Sequence, residues 1–316
     1  MRAGLDEAAV ADVLTLVERA AAQDGARALN EQALLRVAAD PGSPTGSGID
    51  ERHVLARDGS AELVAYAYLD LADPRTGVTA EVVVDPEHRR TGWGSAVVSR
   101  ALAEVDGAPM LLWSHGDHPG AGRMTRRLGF VKVRELWQLR RRLGADAPPL
   151  PEVRTPPGVT VRTFRVGVDE QAWLRLNAKV FADHPEQGAT DAADLARRTG
   201  SAWFDPEGFF LAERDARLVG FHWTKVHAPA RATGDVQPTG EVYVVGVDPD
   251  EQGSGLGLAL TLIGLHHLAG LGLAAVLLYV EANNAPALRV YERLGLSKVA
   301  TDAQYRHHPG GQSPHR

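Results

Sequence analysis

The chain has 316 residues, 44% of them hydrophobic and 23% charged, which is enough apolar material for a folded core and for two domains. A net charge of -6 supplies no basic field for nucleic acid or an anionic bilayer, so neither partner is expected. Cysteine is absent, which excludes disulfides, thiolate nucleophiles, zinc–thiolate sites and iron–sulfur clusters, and suits a reducing, cytoplasmic setting.

Met1 to Glu7 carry no apolar run, so no signal peptide is expected. A helix is predicted over 7–22, then strands at 63–69 and 79–84, the latter strongly β-branched. A glycine turn leads into a helix over 94–104. The Pro-rich stretch 146–158 blocks helix continuation and reads as a stiff connector. The order then returns: a helix over 170–181, strands at 209–212, 218–226 and 241–247, a helix over 257–268 and a strand at 274–280. The run 256–280 lacks formal charge and is long enough to span a bilayer. His266, His267, four glycines and flanking turns make it a buried helix, a turn and a buried strand instead. The class is α/β, of the α+β kind with a mixed sheet. The expected domains are 1–145, a linker at 146–158, 159–305 and a flexible tail at 306–316.

One pattern is written twice. Val84-Asp85-Pro86 with Arg89-Arg90-Thr91-Gly92-Trp93-Gly94 returns as Val247-Asp248-Pro249 with Gln252-Gly253-Ser254-Gly255-Leu256-Gly257. Arg127-Leu128-Gly129-Phe130 returns as Arg293-Leu294-Gly295-Leu296 at nearly the same separation, so a domain is duplicated.

A glycine turn between strand and helix lets backbone N–H groups approach an anion, and the helix N-terminus favours negative charge. No Gly-Lys-Ser/Thr follows, and Leu260 stands where a dinucleotide fingerprint needs its third glycine. Both loops instead resemble the acetyl-CoA pyrophosphate loop of the GCN5-related N-acetyltransferase superfamily. The resemblance implies two tandem domains of that superfamily, acetyl-CoA as co-substrate and no metal. It also implies that the strand before each loop splays at a bulge, for which Gly246 is the candidate, and offers its backbone to the pantetheine arm. Implied cofactor contacts are Val245, Gly246, Val247, Gln252, Gly253, Ser254, Gly255, Leu256, Gly257 and Leu258, with Asn284 and Arg289 flanking. In the first copy they are Val82, Val83, Val84, Arg90, Thr91, Gly92, Trp93, Gly94 and Ser95.

Acetyl transfer to an amine needs a base for the amine and an acid for the leaving thiolate. Glu241 opens an apolar strand and is either a solvated strand end or that base; Tyr291 is either a core residue or that acid. Superfamily members commonly carry a tyrosine at the latter place. In the first copy these positions fall on Val78 and Thr125, so the first domain is expected to be non-catalytic.

The second half also carries Phe181 to Gly188, Trp203-Phe204-Asp205-Pro206, Gly220 to His227, Glu241 to Pro249 and Leu277 to Glu281. With the degenerate first copy, this is similar to the mycothiol synthase family. That resemblance implies transfer of acetyl to the cysteinyl amine of cysteinyl-glucosaminyl-inositol, a small amino-sugar thiol. It places Glu186, Lys225, Glu241 and Tyr279 on the substrate, with Glu31 from the first half, and a monomer is expected because duplication can replace dimerisation. Two other readings stay open: a tandem acetyltransferase for an aminoglycoside, polyamine or protein N-terminus, and an acetyl-CoA-binding sensor without turnover.

Overall fold

A computed structural model describes residues 4–38, 51–71, 77–105, 107–116, 118–182, 187–229 and 237–308. The chain forms two compact units. One runs through Leu136 and resumes at Ala300; the other occupies most of the chain between Trp137 and Val299.

In the first unit, α1 (Glu7–Asp24) starts where the Asp6 carboxylate accepts the Ala9 N–H at 2.9 Å, and stops at Gly25 with φ +61°. Its Ala9, Val13, Leu16 and Ala20 recur at helical spacing and are buried. After α2 (Glu31–Val37), β1 (Glu51–Arg57), β2 (Leu63–Asp70) and β3 (Val78–Val84) pair antiparallel in turn. Helix α3 (Trp93–Glu104) crosses over to β4 (Met110–Ser114), which runs parallel to β3. Next come α4 (Pro119–Arg127) and β5 (Phe130–Arg142). Helices α1 and α2 pack with Tyr66, Tyr68 and Val83. Val97, Val98 and Ala101 of α3 pack with the alternate strand residues Ala65, Ala67 and Ala80, the period of two expected of a sheet covered on both faces.

The second unit repeats the plan with β6 (Val159–Thr163), α5 (Glu170–Val180), α6 (Ala192–Thr199), β7 (Phe209–Arg214), β8 (Arg217–His227) and β9 (Thr239–Val247). Then follow α7 (Leu256–Gly270), β10 (Ala275–Glu281), α8 (Ala285–Arg293) and β11 (Ser297–His307). The uncharged run 256–280 is thus α7, a turn and β10, and among the described residues no helix is long and apolar enough to cross a membrane.

The hydrogen-bonded strand order is β1-β2-β3-β4-β11-β5 in the first unit and β5-β10-β9-β8-β7-β6 in the second. The borders between units fall inside β5, after Leu136, and inside β11, before Ala300. The Pro-rich stretch 146–158 lies wholly in the second unit. Proline stiffens the chain there, but β5, the strand that precedes it, already pairs with β10 of the second unit. Arg306 and His307 complete β11, and 309–316 lie outside the described residues.

Candidate active site

In each unit two parallel strands part ahead of the glycine loop. β3 and β4 pair from Val78 to Glu81, opposite Met110 to Trp113; β9 and β10 pair only at Gly240 and Glu241, opposite Val276 and Leu277. Val82 to Val84 and Val242 to Val247 run on outside those ladders, so one edge of each offers backbone N–H and C=O groups to an extended ligand arm. Gly246, the expected bulge, stays in register opposite Phe221. Glycine is needed there because a Cβ would meet Phe221 Cζ at 2.7 Å. The bulge falls at Tyr243, between the pairs Trp223–Val244 and Thr224–Val242.

The loops are built alike. Asp85 and Asp248 end their strands and accept the N–H of Glu87 and Asp250, each at 3.0 Å, opening a short 3-10 turn. Gly92 and Gly255 then cap α3 and α7 with φ +103° and +89°, values that favour glycine, and bring no side chain to the orphan first-turn N–H groups. A Cβ at Gly92, Gly253 or Gly255 would meet nothing within 4 Å, so the loop faces are open. An anion such as a pyrophosphate fits those N–H groups. One of the differences between the loops bears on the backbone: Gly253 has φ +80°, whereas Arg90, its counterpart, holds φ +68° against its steric preference. Leu256 is buried, so only its backbone belongs to the loop surface, while Arg289 is exposed on α8 and Asn284 caps that helix by accepting the Ala287 N–H.

The first unit has a cavity of about 400 Å³ beside its loop, lined by Val82 to Val84, Arg90, Gly92, Trp113 and His115 among others. At one end lies a cluster absent from the sequence reading. The His115 side chain is 5% exposed, with Nδ1 2.9 Å from Asp302 Oδ2 and Nε2 2.8 Å from Glu81 Oε2. Arg27 donates to Asp302 at 3.0 Å, and Asn30 donates to Glu81 at 2.6 Å. Burial alone would depress the imidazole, but the Glu81 charge and the two carboxylate hydrogen bonds outweigh it and raise His115 to about 9. Burial likewise opposes ionisation of Asp302, yet its hydrogen bond to His115 and the charges of His115 and Arg27 hold it at about 2. The only sequence signal was Glu81, an acid inside a β-branched strand.

In the second unit Glu241 is the last β9 residue paired with β10, and only 8% of it is exposed. Lys225 stands opposite it across the β8–β9 ladder. The Lys225 ammonium lies 4.4 Å from the Trp203 ring centre and 5.2 Å from that of Tyr243, so two aromatic faces hold the cation. Tyr279 on β10 accepts a hydrogen bond from Gln138 at 3.0 Å. Tyr291 on α8 packs with Val242, Leu278 and Val280, the residues just past the parting of β9 and β10. Burial pushes its hydroxyl up to about 12, so it stays protonated at neutral pH.

Val78 and Thr125 occupy the matching places in the first unit. Both are buried, and the Thr125 hydroxyl donates back to Ala121 O at 2.9 Å. Glu31 is exposed in the first turn of α2, in the first unit. Glu186 lies outside the described residues.

Residues 16–130 and 173–296 both match the acetyltransferase (GNAT) family, and the chain belongs to that family. It is an acetyltransferase-type enzyme with two repeats in a mixed α/β fold, and its family uses acetyl-CoA. Proteins named mycothiol acetyltransferase are similar along nearly its whole length. That of Thermomonospora curvata is 49% identical over 306 residues, covering 97% of this chain and 96% of its own. That of Thermobispora bispora is 51% identical over 294 residues, covering 93% and 94%. A solved GCN5-related N-acetyltransferase from Sphaerobacter thermophilus shares the fold at TM-score 0.73 and 23% identity, covering 98% of this chain and 96% of its own. A tandem GNAT protein from the clavulanic acid biosynthesis pathway does so at 0.69 and 18%, covering 99% and 98%.

Proposed function

We propose that the chain transfers acetyl from acetyl-CoA to the cysteinyl amine of cysteinyl-glucosaminyl-inositol, releasing CoA and mycothiol, and that the second unit alone performs the chemistry. The observation that carries the reading is the position of Glu241: a buried carboxylate where β9 leaves β10, facing a caged ammonium across the ladder. Near-full-length identity to proteins named mycothiol acetyltransferase supports the choice of substrate.

Acetyl-CoA supplies the activated thioester. The first turn of α7 and the backbone from Gln252 to Leu258 hold its pyrophosphate, and the free edge from Val245 to Val247 holds the extended arm. Glu241 takes the proton that the attacking amine must lose, and Tyr291 returns one to the departing sulfur. Lys225 and Tyr279 bind the sugar hydroxyls, and Glu186 belongs to the same set. In the first unit Val82 to Val84 and Arg90 to Ser95 keep an acetyl-CoA site without turnover, because Val78 has no titratable group and the Thr125 hydroxyl is committed to Ala121 O.

Mass spectrometry of amines incubated with acetyl-CoA tests this. The panel is cysteinyl-glucosaminyl-inositol, aminoglycosides and polyamines, with Glu241→Gln and a double Gly92/Gly94 variant alongside. The expected result is acetylation of the cysteinyl sugar, lost in Glu241→Gln and kept in the double variant. Acetylation of another amine instead would remove the substrate from the reading and leave the mechanism.

A further inference from the structure

Glu241 does not stand alone on its sheet face. His227, the last residue of β8, places Nε2 2.6 Å from Glu241 Oε2. The ladder pairs His227 with Thr239 and Lys225 with Glu241, so His227 reaches the carboxylate along the diagonal between two positions of one face. The partners differ in access to water: the Glu241 side chain is 10% exposed and that of His227 39%. The pair therefore runs from the buried carboxylate outward to solvent.

The reaction creates a need for such a path. An ammonium becomes an amide and a thioester becomes a thiol, so each turnover releases one net proton. A buried carboxylate that has taken this proton must lose it before the next cycle. An imidazole has two nitrogens and can accept on one while releasing from the other.

We infer that His227 is a positioning residue and proton relay for Glu241. This rests on Glu241 being the base. The amine N–H bond breaks and its proton joins a Glu241 oxygen. The Glu241 Oε2–H bond then breaks as the proton passes to Nε2 of the neutral ring. The resulting imidazolium loses its Nδ1 proton to water, leaving Nε2–H donating to the restored carboxylate, and exchange with water returns the starting tautomer. No electrons move, and one proton leaves per acetyl transferred. Before each transfer the same contact fixes the direction in which the carboxylate points.

The test compares His227→Ala, His227→Gln and Glu241→Gln in the full chain. Substrates are acetyl-CoA and cysteinyl-glucosaminyl-inositol, or whichever panel amine the wild type acetylates. Both His227 variants should lose roughly tenfold to a hundredfold in kcat, the low end of what proton transfer contributes, at unchanged KM for either substrate. Added imidazole should restore part of the rate to His227→Ala, where space is free, and none to His227→Gln, where the amide fills it. Wild-type kcat in both variants, with Glu241→Gln dead, overturns the relay and leaves Glu241 as base. A loss that imidazole does not mend, or one carried by KM, makes His227 a packing residue and also overturns it. An active Glu241→Gln removes the base itself, and the relay with it. The Gln variant keeps a hydrogen-bond donor beside Glu241, so a folding defect confined to His227→Ala cannot imitate the result.

Discussion

The two units share a loop and differ in what their buried charges are free to do. In the first, Glu81, His115, Asp302 and Arg27 bond one another beside the cavity, and their charges are spent on tying the turn between α1 and α2, β3, the end of β4 and β11 together. In the second, Glu241 faces Lys225 and His227 across a splayed strand, and Tyr291 keeps its proton. If the second unit alone performs the chemistry, the two copies divide labour through the partners of a few carboxylates, while the glycine loop is retained in both.

The largest expected effect is on turnover. Glu241→Gln should lower kcat by roughly a thousandfold, with acetyl-CoA binding by calorimetry retained. Transfer at the wild-type rate would mean that Glu241 is not the base and that the contrast is wrong. Next comes Asp302→Asn, which leaves His115 and Arg27 short of a buried partner. It should cost about 3 kcal/mol in urea unfolding, confined to the transition that reports the first unit, with kcat of the remaining folded protein little changed. The same cluster makes a pH prediction. His115 is raised in the folded state, so its contribution is complete below the ordinary histidine value and disappears as pH climbs towards about 9. First-unit stability should fall by up to about 3 kcal/mol between pH 6.5 and 9, and His115→Gln should flatten that slope. Tyr291→Phe should reduce kcat roughly tenfold to a hundredfold at constant KM for acetyl-CoA; an unchanged kcat would return Tyr291 to the core. The smallest effect belongs to Arg90→Gly. Relief of its left-handed backbone should raise stability by at most about 1 kcal/mol, read as a shift in the thermal midpoint.

The loops were legible because positive-φ glycines leave a mark in local sequence and because the mark recurs. Glu241 stood out as an acid opening an apolar strand, either a solvated end or a base, whereas Tyr291 was singled out only by the resemblance, its spacing fitting a core residue as well; both side chains are buried. The His115 cluster was not, since its members at 27, 81, 115 and 302 come from separate elements and share no spacing. His227 was half legible. Alternation puts it on the same strand face as Lys225, but only the β8–β9 register brings it to Glu241. The true bulge at Tyr243 was hidden for the same reason, since a glycine can mark close packing as well as a bulge.

The strand β11 carries residues 300–307 back to the first unit, where Ala303 pairs with Ser114 and Asp302 meets His115. During synthesis those residues leave the ribosome only after most of the second unit, between Trp137 and Val299, has been made. The first unit therefore cannot complete its sheet until the second unit has been synthesised, and until then His115 and Arg27 lack Asp302. A nascent chain stalled before residue 300 should present protease-sensitive residues in the first unit, whereas a chain extended beyond residue 307 should protect them. Folding of the first unit thereby reports that the second has been synthesised.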